Sequence, residues 1–158
     1  GVDDDDGGNI YIQAKSGEDG IIVHDDAEVG LYYNNALKAY TTSTGFLVSG
    51  TVIATTNTDT SNTGSVTLDF QANQNFVLTL TGNVTLANPS TEQVGQSGFI
   101  IFIQDGTGSR TVSLGTDYET AGAAGLTLST AASSVDIVPY VVQSSGNILL
   151  GKPQLAFA

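Results

Sequence analysis

The chain has no cysteine, no methionine and only four lysines and arginines among its 158 residues. Without cysteine there is no disulfide framework, no thiolate metal site and no thiol nucleophile, and the redox compartment is left open. Too few cations are present to cluster on a phosphate backbone, and a net charge of −12 repels one, so nucleic acid is not an expected partner. No apolar run approaches the roughly 20 residues of a membrane-spanning helix. The N-terminus has neither the charged flank nor the apolar segment of a signal peptide. A chain that starts at Gly1 and holds no methionine reads as a processed product or a piece of something longer.

What is abundant is Thr, Ser, Asn and Gly, a composition suited to short strands and turns and poor for surface helices. The length allows one medium domain or two small ones. More than half of the negative charge lies in the first forty residues, where nine acidic groups face only Lys15 and Lys38. The run Asp3 to Asp6 repels itself, so a neighbouring subunit or a bound cation is needed to order it. Calcium fits poorly. A loop starting at Asp3 puts Gly7 where a ligand belongs and Ala14 where the closing Glu belongs, so the expectation is a neighbouring subunit and no cofactor.

From Asn9 to Ile53 short apolar segments alternate with turns: Ile10 and Ile12 around Tyr11, Ile21 to Val23, Val29-Leu31-Tyr33, Leu37 and Ala39, then Phe46 to Val48. Strands of about five residues broken every eight to ten predict a β-meander. Roughly forty-five such residues cannot bury enough apolar surface alone, and chains this small usually need a disulfide, a metal or a partner. With the first two absent, association of several copies is expected, through Ile10, Ile12, Val29, Leu31, Tyr33, Leu37, Phe46 and Val48.

Ala54 to Gly64 carries no apolar residue beyond Ala54 and reads as a linker between domains spanning 1–53 and 65–158. Beyond it, Val66-Leu68-Phe70, Phe76-Leu78-Leu80 and Val84-Leu86 alternate, with Thr81-Gly82-Asn83 expected as a tight turn. Phe99 to Ile103 is a continuous apolar run, predicting a strand buried on both faces. Asp105-Gly106 and Gly108 then predict a turn into Thr111 to Leu114, closing a hairpin. Gly115 to Gly125 reads as a loop and Leu126 with Leu128 as a short strand. Pro139 puts the Val135–Val142 strand at an edge or a bulge. The apolar tail is expected to pack through Leu155 and Phe157 against the domain or a neighbour.

The stretch from Gln96 to Gly115, with Asn75 to Pro89 before it and Leu128 to Val142 after it, resembles the C-terminal region of bacteriophage tail-fibre proteins, those of marine phages especially. Val29 to Gly50 is similar to the short β-repeats of fibre shafts. The resemblance implies an all-β protein, an intertwined N-terminal shaft segment followed by a β-sandwich, jelly-roll-like head. It also implies a homotrimer, found in the virion or outside the cell, that works by assembly and adhesion.

Reactive constellations are few. His24, the only histidine, stands beside Asp25 and Asp26 without a Gly-x-Ser-x-Gly nucleophile motif anywhere, so a solvated turn histidine is expected. Asp117 and Glu119 are the one carboxylate pair worth inspecting for glycoside hydrolysis, yet the chain is short for the long β-helices that usually carry it; no enzyme is expected. Gly106 and Gly108 lack the Gly-Lys-Thr/Ser of a phosphate loop. Asp117, Tyr118, Glu119 and Arg110 are the candidate ligand residues, with Tyr118 placed to stack on a host surface polysaccharide and Arg110 to pair with Asp105. The rival reading is a self-polymerising extracellular filament, with Asn9 to Ala14 donated to the next subunit's sheet, or a capsid decoration protein.

Overall fold

The computed structural model describes residues 8–157, so the Asp3 to Asp6 run and the expectations attached to it lie outside the described residues. The chain divides into two units, Gly1–Ile53 and Ala54–Ala158, and both are built from strands.

The first unit is an antiparallel meander of β1 (Ile10–Lys15), β2 (Glu18–Val23), β3 (Val29–Tyr33), β4 (Ala36–Thr42) and β5 (Gly45–Val48), paired in that order. Asn34 and Asn35 form the two-residue turn from β3 to β4 at φ 50° and 59°, a conformation asparagine tolerates and whose twist matches a hairpin. The Asn35 side chain also clasps the neighbouring turn, accepting from the Asp19 N–H at 2.7 Å and donating to the Gly17 carbonyl at 2.9 Å. The segment Asn9 to Ala14, proposed above as a donated strand, is engaged within its own chain as β1 on β2.

Paired residues share a face of the pleat. The register therefore gathers Ile10, Ile12, Ile21, Val23, Val29, Leu31, Ala39, Phe46 and Val48 on one face. Tyr11, Ile22, Gly30, Tyr32, Leu37, Tyr40 and Leu47 share the other. Neither face is polar, yet only Ile22 and Ala39 are buried apolar residues among those described in this unit. Ile10, Ile12, Leu31, Phe46 and Val48 stay 37–60% exposed and Tyr33 75%, while Val29 and Leu37 are half-buried. On the second face the Tyr32 ring lies across Gly30, where an added Cβ would sit 2.7 Å from the ring.

The second unit holds β6 (Thr56–Thr67), β7 (Asn75–Ala87), β8 (Ser97–Gln104), β9 (Val112–Leu114), β10 (Tyr118–Thr120), β11 (Val135–Ser144), β12 (Asn147–Leu150) and β13 (Gln154–Phe157). The hydrogen-bonded order is β10-β12-β11-β8-β7-β6, with β9 on β7 and β13 on β11. The sheet is mixed: β6, β8 and β9 all run parallel to β7, whereas β11 is antiparallel to β8, β12 and β13.

Several expectations are corrected here. The stretch read as a linker is most of β6, paired along β7 from Thr56 to Thr67; it lacks apolar alternation because it is an edge strand with nearly every side chain exposed. The expected hairpin does not form. After an excursion at Asp105 to Arg110 the chain continues in the same direction, so β8 pairs with Phe76 to Leu80 and β9 with Val84 to Leu86. Alternation marks a strand but carries no direction, which is why Thr111 to Leu114 could be read as returning. Thr81-Gly82-Asn83 is likewise no turn but the middle of β7. The inward residues Phe76, Leu78, Leu80, Val84 and Leu86 keep one parity through it, and Gly82 takes the inward position where a Cβ would collide with the Thr63 side chain.

Chain reach forces β6 and β7 to bend at that point. A straight strand from Thr56 to Thr67 would span about 36 Å. The connection back to Asn75, which starts beside Thr56, reaches at most about 29 Å when extended. It is also shortened by a turn in which the Asn73 N–H donates to the Asp69 carbonyl at 3.1 Å. The register of β6 shifts between Asp59 and Gly64, opposite Gly82, which marks the corner.

The core is one cluster drawn mainly from β7, β8, β11 and β12 and from the segment after β6, including Phe70, Phe76, Leu78, Leu80, Leu86, Ile100, Phe102, Val138 and Ile148. Phe70 meets Phe76 and Tyr140 edge-on, with ring centroids 5.0 and 5.2 Å apart. Leu126 and Leu128 pack against this cluster without forming the expected strand. Pro139 lies in a central strand, not at an edge. Its carbonyl accepts from Gly151 N–H at 2.8 Å, which turns its donorless nitrogen toward the break between β12 and β13.

Candidate functional site

Arg110 lies at the end of the excursion that separates β8 from β9. Gln104, buried at the end of β8, holds that excursion shut: its Oε1 accepts from the Arg110 N–H at 2.8 Å and its Nε2 donates to the carbonyls of Arg110 and Ser129, both at 2.9 Å. The Arg110 guanidinium is thereby brought onto Asp105, with Nε at 3.3 and 3.2 Å from the two carboxylate oxygens and a terminal nitrogen at 2.8 Å. Arg110 first, then the N–H groups of Gly108 and Thr107, hold the Asp105 carboxyl down at about 2. The single cation of this loop is thus committed to its neighbour.

The Gly115–Gly125 segment is more structured than a loop. Tyr118–Thr120 forms β10, parallel to β12, and Ala121–Ala123 a 3-10 turn. Asp117 is fixed by its backbone, its N–H donating to Asn88 Oδ1 at 3.1 Å and its carbonyl accepting from Ile148 N–H at 2.7 Å. Tyr118 is turned inward and only 5% exposed, so it presents no ring for a sugar to stack on, contrary to expectation. Burial, then the negative charges of Asp117 and Glu92, push its ionisation well above the usual tyrosine value. Strand alternation explains the inversion: once residues 118–120 pair with β12, Tyr118 shares the inner face with Ile148 and Glu119 points out.

Two open clefts flank this segment. One of about 430 Å³ runs from Leu114 and Tyr118 to Ala123, with Glu119 its charged group. The other, about 250 Å³, lies between Ala121 and Pro153, with Lys152 its charged group. Neither brings a nucleophile to a base. His24 is in the other unit, 3.8 Å from Glu28, and no hydroxyl is bonded to it among the described residues. No three His, Asp or Glu side chains gather to hold a metal ion among those residues. Each cleft thus offers a single charged side chain, Glu119 in one and Lys152 in the other.

Two carboxylates escaped the sequence reading. Glu92 accepts from the Gly146 N–H at 2.9 Å and from Ser145 Oγ at 3.3 Å, and these bonds, the Gly146 one foremost, lower its ionisation. Asp136, 1% exposed, accepts from Ser129 N–H at 2.6 Å, Ser129 Oγ at 2.7 Å and Ala156 N–H at 2.9 Å, pinning the approach to β11 and the final strand. Their partners are distant in the chain for Glu92, and in Asp136 nothing but an acidic residue inside an apolar run hinted at a buried acceptor. Of the expected assembly residues at the end of the chain, Leu155 and Phe157 lie on β13 and are 49% and 45% exposed.

Residues 60–147, a little over half of the chain, match the family described as "Putative phage tail fibre C-terminal domain". The match covers most of the second unit and stops short of the first, where the shaft-like stretch Val29 to Gly50 lies. No curated protein and no solved structure matches the chain.

Proposed function

Because the chain belongs to the family of phage tail-fibre C-terminal domains, we propose that it is a structural subunit of a homotrimeric tail fibre, with residues 1–53 as shaft segment and 65–158 as head. The observation that carries this reading is the first unit's sheet, apolar on both faces and almost without a core. Ile10, Ile12, Val29, Leu31, Phe46 and Val48 form one aliphatic and aromatic face, which sister copies would cover. Fully burying such a side chain contributes about 1.5–3 kcal/mol, so partly exposed ones still have on the order of 1 kcal/mol each to gain. Three copies around one axis close the contact without an open surface. Tyr33, Leu37, Leu155 and Phe157 are further candidates for the interface.

In this reading the head closes as a sandwich-like body, the bent halves of β6 and β7 folding over the β8–β11 half; the single core cluster supports it. Contact with a host surface polysaccharide falls to Asp117 and Glu119, through hydrogen bonds to sugar hydroxyls, with Tyr118 as their buried support and Arg110 as a positioning partner of Asp105. A place on the virion or outside the cell follows from the fibre reading; no helix among the described residues is long and apolar enough to cross a membrane. The filament reading has less to rest on, since its donor strand β1 is already paired.

The test is the mass of the pure protein by sedimentation equilibrium, with unboiled electrophoresis beside it. A trimer that survives detergent, and falls apart when Phe46→Asp is introduced, is the expected result. A monomer at micromolar concentration removes the reading, and fibres of unlimited length by electron microscopy would favour the filament.

A further inference from the structure

Within the second unit's sheet the outward positions differ sharply from strand to strand. On β7 they run from Val77, beside Ile101, through Thr79, Thr81, Asn83 and Thr85 to Ala87, a mostly polar row facing water. On β8 and β11 the outward positions include Phe99, Ile101 and Ile103 beside Ile137, Pro139 and Val141. Their inward neighbours Ile100, Phe102 and Val138 are already 0–1% exposed, so the core does not need a second apolar face. Phe99 and Val141 nevertheless stand 47% and 41% exposed, and the other four are half-buried. The continuous apolar run that predicts a strand buried on both faces is therefore buried on one only.

We propose that this strip is covered by the same unit of a sister chain, forming a second contact between copies. This rests on the oligomeric reading above. Charge and area both select a sister copy. The strip carries no charged residue, so two chains of net charge −12 can meet on it without opposing carboxylates. It is two strands wide and about five residues long, on the order of 160 Å². A stable interface between independent proteins needs about 800 Å² on each side, so the strip cannot capture a free partner. A copy already tethered through the first unit is present at an effective concentration on the order of millimolar, where so small a contact suffices.

The absence of native cysteine makes the test clean. Val141→Cys and, as a control on the same sheet face, Thr85→Cys are introduced separately in the full chain, and the rate of maleimide labelling is measured in the oligomer. The expected result is that position 141 labels about tenfold or more slowly than position 85, and that the difference vanishes when Phe46→Asp separates the copies. Phe99→Cys serves if Val141→Cys does not fold. Equal rates in an intact oligomer overturn this contact and leave the trimer standing. A chain that is monomeric throughout removes both.

Discussion

The second unit buries sixteen apolar side chains and the described part of the first buries two, although both are made from Val, Ile, Leu and Tyr in alternating strands. The difference lies in what each chain segment can fold over. Strands of four to seven residues, joined by two-residue turns and by five residues between β2 and β3, lay out a meander that leaves most of its apolar side chains partly exposed. In the second unit the thirteen-residue β7 carries five inward apolar side chains into one cluster shared with β8, β11 and β12, and its register with the twelve-residue β6 shifts at one corner. The first unit compensates with polar clasps between turns, such as Asn35 to Asp19 and Gly17, and with Asn9 Oδ1 accepting from the Asp25 N–H at 3.1 Å. Composition is therefore a poor guide to autonomy; strand length and the ability to turn a corner are better ones.

The comparison breaks most visibly in the core of the second unit. Phe102→Ala removes a side chain 1% exposed and should cost about 3–5 kcal/mol of unfolding free energy, read by denaturant titration of the far-ultraviolet circular dichroism. A loss below about 1 kcal/mol would mean that this unit is as loosely packed as the other. Next comes the corner. Gly82→Ala should cost about 1–3 kcal/mol by driving a methyl into Thr63, and Thr63→Ala in the same chain should return much of it. An equal loss with and without Thr63→Ala would show that the corner is not set by this contact.

A smaller effect on folding, but a distinct one, is expected from Leu31→Ala in the first unit. Leu31 is 39% exposed, so the unfolding free energy of a separated chain should fall by no more than about 1 kcal/mol, while dissociation of the proposed trimer shifts to higher protein concentration. Loss of folding without change in association would reverse the comparison.

The smallest effects are those of pH, and both belong to the second unit. Asp105 is depressed to about 2 by Arg110, so the stability it contributes is present above the ordinary carboxylate range and disappears as pH falls through about 2. Arg110→Gln should lower the melting temperature at pH 6 and match the native chain below pH 2. Tyr140 moves the other way: burial raises it to about 12, so its contribution is whole below the ordinary tyrosine value and lost as pH rises through about 12. Absorbance titration should find this tyrosine ionising late, together with Tyr118. All six tyrosines titrating together near 10 would contradict it.

Strand existence, the five-stranded meander and the inward residues of β7 were readable in the chain, because a period of two survives in any β context and the asparagine pair at 34–35 marks a hairpin. The scarcity of a core in the first forty-odd described residues also followed from length alone. Strand direction and partner choice were not readable. Alternation is the same forwards and backwards, so β9 looked like the return of β8, and a polar edge strand looked like a linker. The site suffered in the same way. Glu119 and Arg110 could be singled out by type, but the inward turn of Tyr118 depended on pairing with β12 nearly thirty residues later, and the hold of Glu92 on Gly146 on the hairpin that joins β11 to β12. Local steric preference and solvent exclusion act within a few residues and are written in the chain; register between distant strands is decided only when the whole sheet closes and every inward position has to find cover at once.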